Sequence, residues 1–329
     1  LTTETISNVA AGNYTVFVQD NNGCNDFYSI TVQNPDSISA LISSSDYNGF
    51  AISCDGLSDG SVSAIASGGN GIDFSTLLWN TGDTVNSLSG LSIGTYSYTI
   101  EDINGCSATA TIILNSPEVL QLDLAADTLL CNGDSNATAY IDSLYFGIQP
   151  FTYLWSNGQT SSTASNLDSG GYTLTITDDN NCSVTSAVSV VEPDALVSSL
   201  INLSVYNGFN ISCFGSSDGS LTISTSGGTS PYLYSLDSIY FSGNVNYNNL
   251  GAGNFHVLTR DNNGCESVSD VLLSSPNALE ANLQTIQSPT CLGIEDGIIT
   301  SLTSGGTGVW SYIWTNNSTA NTNVATDLA

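Results

Sequence analysis

Four stretches of this chain repeat one phrase: an aspartate, a turn, a cysteine, then alternating polar and apolar residues. They read DNNGCNDFYSITV from Asp20, DINGCSATATIIL from Asp102, DDNNCSVTSAVSV from Asp178 and DNNGCESVSDVLL from Asp261. Such repetition constrains the fold more than length does, because each copy must be a structural unit set against its neighbours. Asn-Gly between two alternating runs signals a β-hairpin. Each phrase is preceded by a strand pattern that opens on a second recurring motif: VAAGNY at Val9, LSIGTY at Leu91, LDSGGY at Leu167 and LGAGNF at Leu250.

Two further registers give the period. Prolines in NPD, SPE, EPD and SPN (Pro35, Pro117, Pro193, Pro276) recur at steps of 82, 76 and 83 residues. Proline cannot donate to a sheet ladder, so these positions read as seams. The phrases CDGLSDGS at Cys54 and CFGSSDGS at Cys213 have weaker forms, CNGDSNAT at Cys131 and CLGIEDGI at Cys291. Only the first two follow a YNGF segment, so the repeat alternates between two types, with 159 residues from Cys54 to Cys213 and 160 from Cys131 to Cys291. The expected modules are 35–116, 117–192 and 193–275, flanked by the C-terminal part of a repeat (1–34) and the N-terminal part of another (276–329). Because the pattern begins and ends in mid-repeat, an excerpt of something longer is expected. Seven or so short strands in roughly 80 residues predict an all-β chain of tandem immunoglobulin-like β-sandwich modules in an extended array. Trp79, Trp155 and Trp314 are placed in the sandwich cores.

Composition narrows the function. One basic residue, Arg260, faces 30 Asp and Glu, for a formal net charge of −29. Nucleic acid and anionic membrane surfaces would repel such a chain, so neither is an expected partner. No run of about 20 apolar residues exists, which excludes insertion as a transmembrane helix. With 15 Tyr and 10 Phe the chain is too aromatic for a disordered acidic segment.

Eight cysteines at repeated places, none nearer than 25 residues to the next, fit neither zinc ribbons nor redox motifs. A disulfide framework in an oxidising, extracellular setting is expected. Two connectivities present themselves. Within modules, Cys54–Cys106, Cys131–Cys182 and Cys213–Cys265 lie 52, 51 and 52 residues apart, leaving Cys24 and Cys291 to partners outside the chain. Across seams, Cys24–Cys54, Cys106–Cys131, Cys182–Cys213 and Cys265–Cys291 use all eight. The near-constant spacing favours the first.

No catalytic residues are expected, and the chain does not read as an enzyme. The single His256 and Arg260 lie four apart on one strand face in only one module, which reads as a solvated face. No cofactor is expected. Calcium is the one candidate metal, since Asp side chains at turns supply hard oxygen ligands: Asp20, Asp102, Asp178 and Asp261 before the hairpins, and Asp59, Asp218 and Asp296 in the DGS-like turns. The competing reading is that these carboxylates bond their own backbone.

Taken together, SCDGLSDGS, SGGTSPYLYS, PFTYLWSNG, LSIGTYSYTI and DINGC resemble the SprB-type repeat of very large cell-surface adhesins of Bacteroidetes. Departures are NNC at Cys182, Phe255 in place of Tyr, LYSLDSIYFSG without Trp, and CNGDSNAT without Asp-Gly-Ser. The resemblance implies a structural and adhesive repeat region of a large extracellular surface protein or filament, displayed on the bacterial cell through type IX secretion and serving attachment or gliding. Carbohydrate-binding modules, or accessory repeats of a secreted enzyme, are the alternatives. Implied partners are neighbouring repeats of the same chain and lateral or filament self-association; in the carbohydrate-binding alternative, polysaccharide or a host surface stacks on exposed aromatics such as Tyr47, Phe50, Tyr240 or Phe241, while packing at module seams explains YNGF equally well. O-glycosylation is implied at Ser37, Thr84, Thr128, Ser143 and Ser238, each after an Asp and before an apolar residue.

Overall fold

A computed structural model describes residues 4–71, 76–315 and 321–328. Among them there are strands and turns but no α-helix, as expected from a chain rich in β-branched and aromatic residues. An N-terminal hairpin pairs β1 (Gly12–Gln19) with β2 (Asn25–Val32). The next stretch gives β3 (Ser39–Ser44), β4 (Gly60–Ser67), β5 (Leu78–Trp79), β6 (Ser87–Leu91), β7 (Gly94–Glu101) and β8 (Ser107–Leu114). These form two antiparallel three-stranded sheets, in the orders β3-β4-β6 and β5-β7-β8. Among the described residues six strands therefore make the sandwich, against the seven or so expected.

The plan recurs twice. Residues 117–192 give β9 (Gln121–Ala126), β10 (Ala137–Tyr145), β11 (Thr152–Trp155), β12 (Thr163–Leu167), β13 (Gly170–Thr177) and β14 (Ser183–Val190), in the orders β12-β10-β9 and β11-β13-β14. Residues 193–275 give β15 (Val197–Ile201), β16 (Gly219–Ser226), β17 (Leu233–Ser235), β18 (Asn246–Leu250), β19 (Gly253–Arg260) and β20 (Glu266–Leu273), in the orders β15-β16-β18 and β17-β19-β20. A last sheet holds β21 (Asn277–Gln287), β22 (Gly297–Gly306) and β23 (Val324–Leu328). By packing, the chain divides into two compact units, Leu1–Ala125 with Tyr140–Ala164 and Tyr172–Ala187, and Ala126–Ala139 with Ser165–Gly171 and Val188–Ala329. Residues 117–192 thus contribute to both.

The core of the first strand set shows why the pattern folds this way. Strand alternation points Val62, Trp79, Tyr98, Ile100 and Leu114 inward, where all are at most 1% exposed. The rings of Trp79 and Tyr98 meet at 5.2 Å between centroids, and Trp79 Nε1–H donates to Val85 O at 2.8 Å. Tyr98 lies inside with its hydroxyl tied to β3 and β4. It donates to Ile65 O (2.6 Å) and accepts from Leu41 N–H (3.2 Å), while burial pushes its pKa above the usual phenol value. Trp155 repeats the arrangement with Nε1–H donating to Ser161 O at 2.9 Å. In the third set the core takes Tyr234, two residues before the tryptophan's place and paired with Thr259, 4% exposed and within 3.0 Å of the Thr225 hydroxyl. Trp314 departs from expectation. It is only half-buried, with Nε1–H donating to Thr322 O at 3.0 Å.

Thr259 occupies on β19 the place that Ile100 holds on β7. It is fully buried, and its Oγ1 has no hydrogen-bond partner. A buried, unpaired hydroxyl costs about 1–3 kcal/mol, so Thr259→Val, which keeps the shape, is expected to stabilise the protein by about 1 kcal/mol. Denaturant titration of the two proteins measures this. Destabilisation would mean that the hydroxyl finds a partner in solution.

Candidate functional site

The four Asp-to-Cys turns share one construction. Asp102 Oδ1 accepts the N–H groups of Asn104 and Cys106, each at 2.9 Å, and its Oδ2 accepts Asn70 N–H at 3.1 Å. Those backbone donors, Asn70 first, hold its carboxyl below the usual carboxylate range. Asp178 takes the N–H groups of Asn180, Cys182 and Ile148, Asp261 those of Asn263, Cys265 and Thr229, and Asp20 those of Asn22 and Cys24. One side chain thus fixes both the hairpin and, in three copies, the glycine-containing turn beside it. The residue before the cysteine must take the left-handed backbone. Gly105 does so at φ +79°, and where NNC lacks the glycine Asn181 does so at φ 67°, asparagine being the next most tolerant residue there. These aspartates, read as calcium candidates in the sequence, are engaged as turn acceptors. Among the described residues no three His, Cys, Asp or Glu side chains gather to hold a metal ion.

The Cys-x-Gly loops are held in the same manner from the other side. The N–H of the residue before the cysteine is bound by the aspartate of the DGS-type turn: Ser53 by Asp59, Ser212 by Asp218 and Thr290 by Asp296. Hydrogen bonds from the hydroxyl and N–H of Ser212 keep Asp218 below the ordinary carboxylate range, and those of Thr290 do the same for Asp296.

Cysteine pairing overturns the expected connectivity. The bonds are Cys54–Cys182 and Cys131–Cys265, at Cα–Cα distances of 5.5 and 5.6 Å and separations of 128 and 134 residues. Each joins the Cys-x-Gly loop of one strand set to the hairpin of the next. Cys106 and Cys213, expected within modules, are unpaired and exposed among the described residues, as are Cys24 and Cys291. The reason lies in strand length. Ala51 and Ile52 donate to Asn115 O, just past the end of β8, whereas Cys106 sits just before its start. Eight residues at about 3.3 Å each put roughly 26 Å between those two ends, far beyond the ~7 Å that a disulfide tolerates. Asn210 and Ile211 donate to Ser274 O and reproduce this separation for Cys213 and Cys265 across β20.

Side chains around each bond form a socket that the sequence reading missed. In the first, the buried Asn180 donates from Nδ2 to Tyr47 O and Ser53 O, both at 3.3 Å, and accepts from Asn48 Nδ2 at 2.6 Å. In the second, Asn263, at the same hairpin position, donates from Nδ2 to Leu130 O at 3.0 Å. Ser53 and Leu130 both immediately precede the bonded cysteine. YNGF is therefore a seam element: Tyr47 and Phe50 bridge each other across Asn48 and Gly49, and the Tyr47 hydroxyl donates to Asp59 O at 3.2 Å. The signal available in the sequence was the asparagine two residues before each hairpin cysteine, present in all four copies.

The remaining residues singled out in the sequence lie apart from these seams. His256 and Arg260 face Asp270 and Glu266 directly across β19 and β20, and Arg260 Cζ stands 4.3 Å from the Phe241 ring centroid. The strand face thus carries one Arg260–Glu266 ion pair and a His256–Asp270 hydrogen bond. Ser37, Thr84, Thr128 and Ser238 are exposed. Ser143 is half-buried and donates to Asp123 Oδ2 at 3.0 Å, so its hydroxyl is already engaged.

No curated protein matches the chain. Among solved structures, it is similar to the N-terminal eight Ig domains of Down Syndrome Cell Adhesion Molecule isoform 1.30.30, at 13% identity and a TM-score of 0.27 over 90% of this chain and 55% of that one. The chain thus spans about half the length of that structure. Sidekick-1 immunoglobulin domains 1–5 match at 11% identity and a TM-score of 0.25, over 92% and 74% of the two chains. The Protocadherin GammaB4 extracellular domain matches at 10% and 0.26, over 98% and 72%. Residues 209–239, which hold Cys213, the CFGSSDGS turn and Tyr234, match the family described as SprB repeat, so the resemblance read from the sequence phrases holds there.

Proposed function

We propose that this chain is a structural and adhesive repeat region of a large extracellular surface protein, built from the modules 35–116, 117–192 and 193–275 with parts of further repeats at 1–34 and 276–329. The observation that carries the reading is the covalent bond from each strand set to the next, Cys54–Cys182 and then Cys131–Cys265. A staple between consecutive sandwiches resists their separation, which serves a tether under load and has no evident use in a free catalyst. Support also comes from the SprB repeat match at residues 209–239. The net charge of −29 favours solubility and discourages unspecific collapse onto anionic surfaces. Display on the bacterial surface through type IX secretion, and a role in attachment or gliding, complete the proposal.

An antibody raised against the 329-residue chain is expected to label intact, unpermeabilised cells, and its Fab fragments to reduce their attachment or gliding at least several-fold. Labelling that appears only after permeabilisation would overturn the surface assignment. Full attachment and gliding with the surface saturated by Fab would overturn the adhesive one.

A further inference from the structure

The two observed bonds follow one rule, and four exposed cysteines are left that the rule also covers. A Cys-x-Gly loop cysteine bonds the hairpin cysteine of the following strand set, 128 residues on when the loop follows YNGF and 134 when it does not. Cys213 and Cys291 are loop cysteines, while Cys24 and Cys106 are hairpin cysteines, and all four are unpaired. Under the rule, every one of the four partners falls outside these 329 residues.

The Cys213 loop is more than a lone thiol. It lines a cleft of about 510 Å³ with Asn207, Ser212, Pro276, Leu279 and Trp310. Asn207 and Ser212 correspond to Asn48 and Ser53, the groups that bond the Asp178–Cys182 hairpin in the first seam. Cys54 and Cys182 line a seam cleft of the same kind, where Glu118, Val119 and Leu120, the residues after Pro117, take the place of those after Pro276. In the first seam a hairpin stands between the loop and the post-proline strand. Among the described residues no hairpin stands at that place beside Cys213.

We infer that the cleft at Cys213 is a socket for an Asp-x-Asn-x-Cys hairpin of a following repeat in the same polypeptide. Cys291 is the next such socket, and Cys24 and Cys106 are the plugs for sockets of preceding repeats. Each repeat is then bonded to both neighbours, and the array is one continuous disulfide ladder. In the socket, the hairpin asparagine amide meets Ser212 O and the Asn207 side chain, as Asn180 meets Ser53 O and Asn48. Each bond forms as two thiols give up two protons and two electrons to a disulfide-bearing oxidant, an oxidoreductase or oxidised glutathione, which is reduced to two thiols. The pairing is independent of what the array adheres to, so it can fail while the adhesive role stands.

Disulfide mapping of the native full-length protein tests it, by alkylation without reduction, proteolysis and mass spectrometry. The Cys213 peptide is expected to be linked to a hairpin peptide about 128 residues downstream, and the Cys106 peptide to a Cys-x-Gly peptide about 134 residues upstream, the observed separations. Alkylation of Cys213 and Cys106 in the unreduced protein would overturn the ladder, as would Cys213–Cys265 or Cys54–Cys106 links. Mixed isotope labelling separates the remaining case: a Cys213 partner from a second molecule would overturn the same-chain assignment. An Asn207→Ala variant, which removes the side chain that would meet the hairpin asparagine while leaving all cysteines and the Ser212–Asp218 bond of the loop, is expected to lower Cys213 pairing several-fold with Cys54–Cys182 unchanged. Unchanged Cys213 pairing in that variant would remove the socket from the account.

Discussion

Replacing both Cys54 and Cys182 by serine is expected to produce the largest loss of stability available outside a core. The bond closes 128 residues, and the loop-entropy argument assigns such a closure on the order of 5 kcal/mol. For a unit of this size that corresponds to a fall of about 10–20 °C in melting temperature. The first compact unit should lose this while the second, stapled by Cys131–Cys265, keeps its own transition. Calorimetry of the double variant, set beside the parent in reducing buffer, measures both effects. A fall under about 3 °C would show that the seam's hydrogen bonds, Asn180 to Tyr47 O and Ser53 O, hold the two sets together without the bond. Asn180→Ala in the oxidised protein then isolates those bonds, at an expected cost of about 1–3 kcal/mol for leaving buried groups unpaired.

Trp79→Ala is the second large effect. The side chain is 1% exposed, packs on Tyr98 and donates to Val85 O. Large-to-small replacement of a buried tryptophan costs about 3–5 kcal/mol, a large share of what a small sandwich possesses. The first strand set should lose its cooperative transition or melt far below the others, observed as loss of protected amides in β5, β7 and β8. Trp79→Tyr should be milder, because it keeps an aromatic ring against Tyr98 and leaves a smaller cavity. If Trp79→Ala cost less than about 1 kcal/mol, the core assignment would be wrong.

Much of the fold was legible because it rests on local chemistry. The hairpins of LSIGTYSYTIEDINGCSATATIIL follow from alternation and from one left-handed position, and Asn181 shows that the position, not the glycine, is the requirement. The Tyr motifs follow likewise from a contact four residues long: Tyr14 donates to Ala10 O at 2.7 Å and Tyr96 to Ser92 O at 3.1 Å. Trp79 and Trp155 were placed in cores by pattern alone, correctly, whereas Trp314 was not, because burial depends on which strands cover a residue. The hairpin aspartates could be read two ways, since a carboxylate that accepts backbone N–H groups and one that binds calcium favour the same turn residues.

Cysteine spacing misled for a physical reason. In a repeat, any fixed pairing rule yields constant separations, so the near-identical 51 and 52 residues could not tell a bond inside a set from one between sets. By itself the sequence determined that the chain is all-β, that it repeats with two alternating types, and which residues turn it and fill its cores, because these are settled over a few residues by backbone sterics and strand period. The tertiary structure decided which cysteines meet. An eight-residue strand carries the two cysteines of a set to opposite ends of a sandwich, and a disulfide, which needs Cα atoms within about 7 Å, forms only where one set's loop reaches the next set's hairpin.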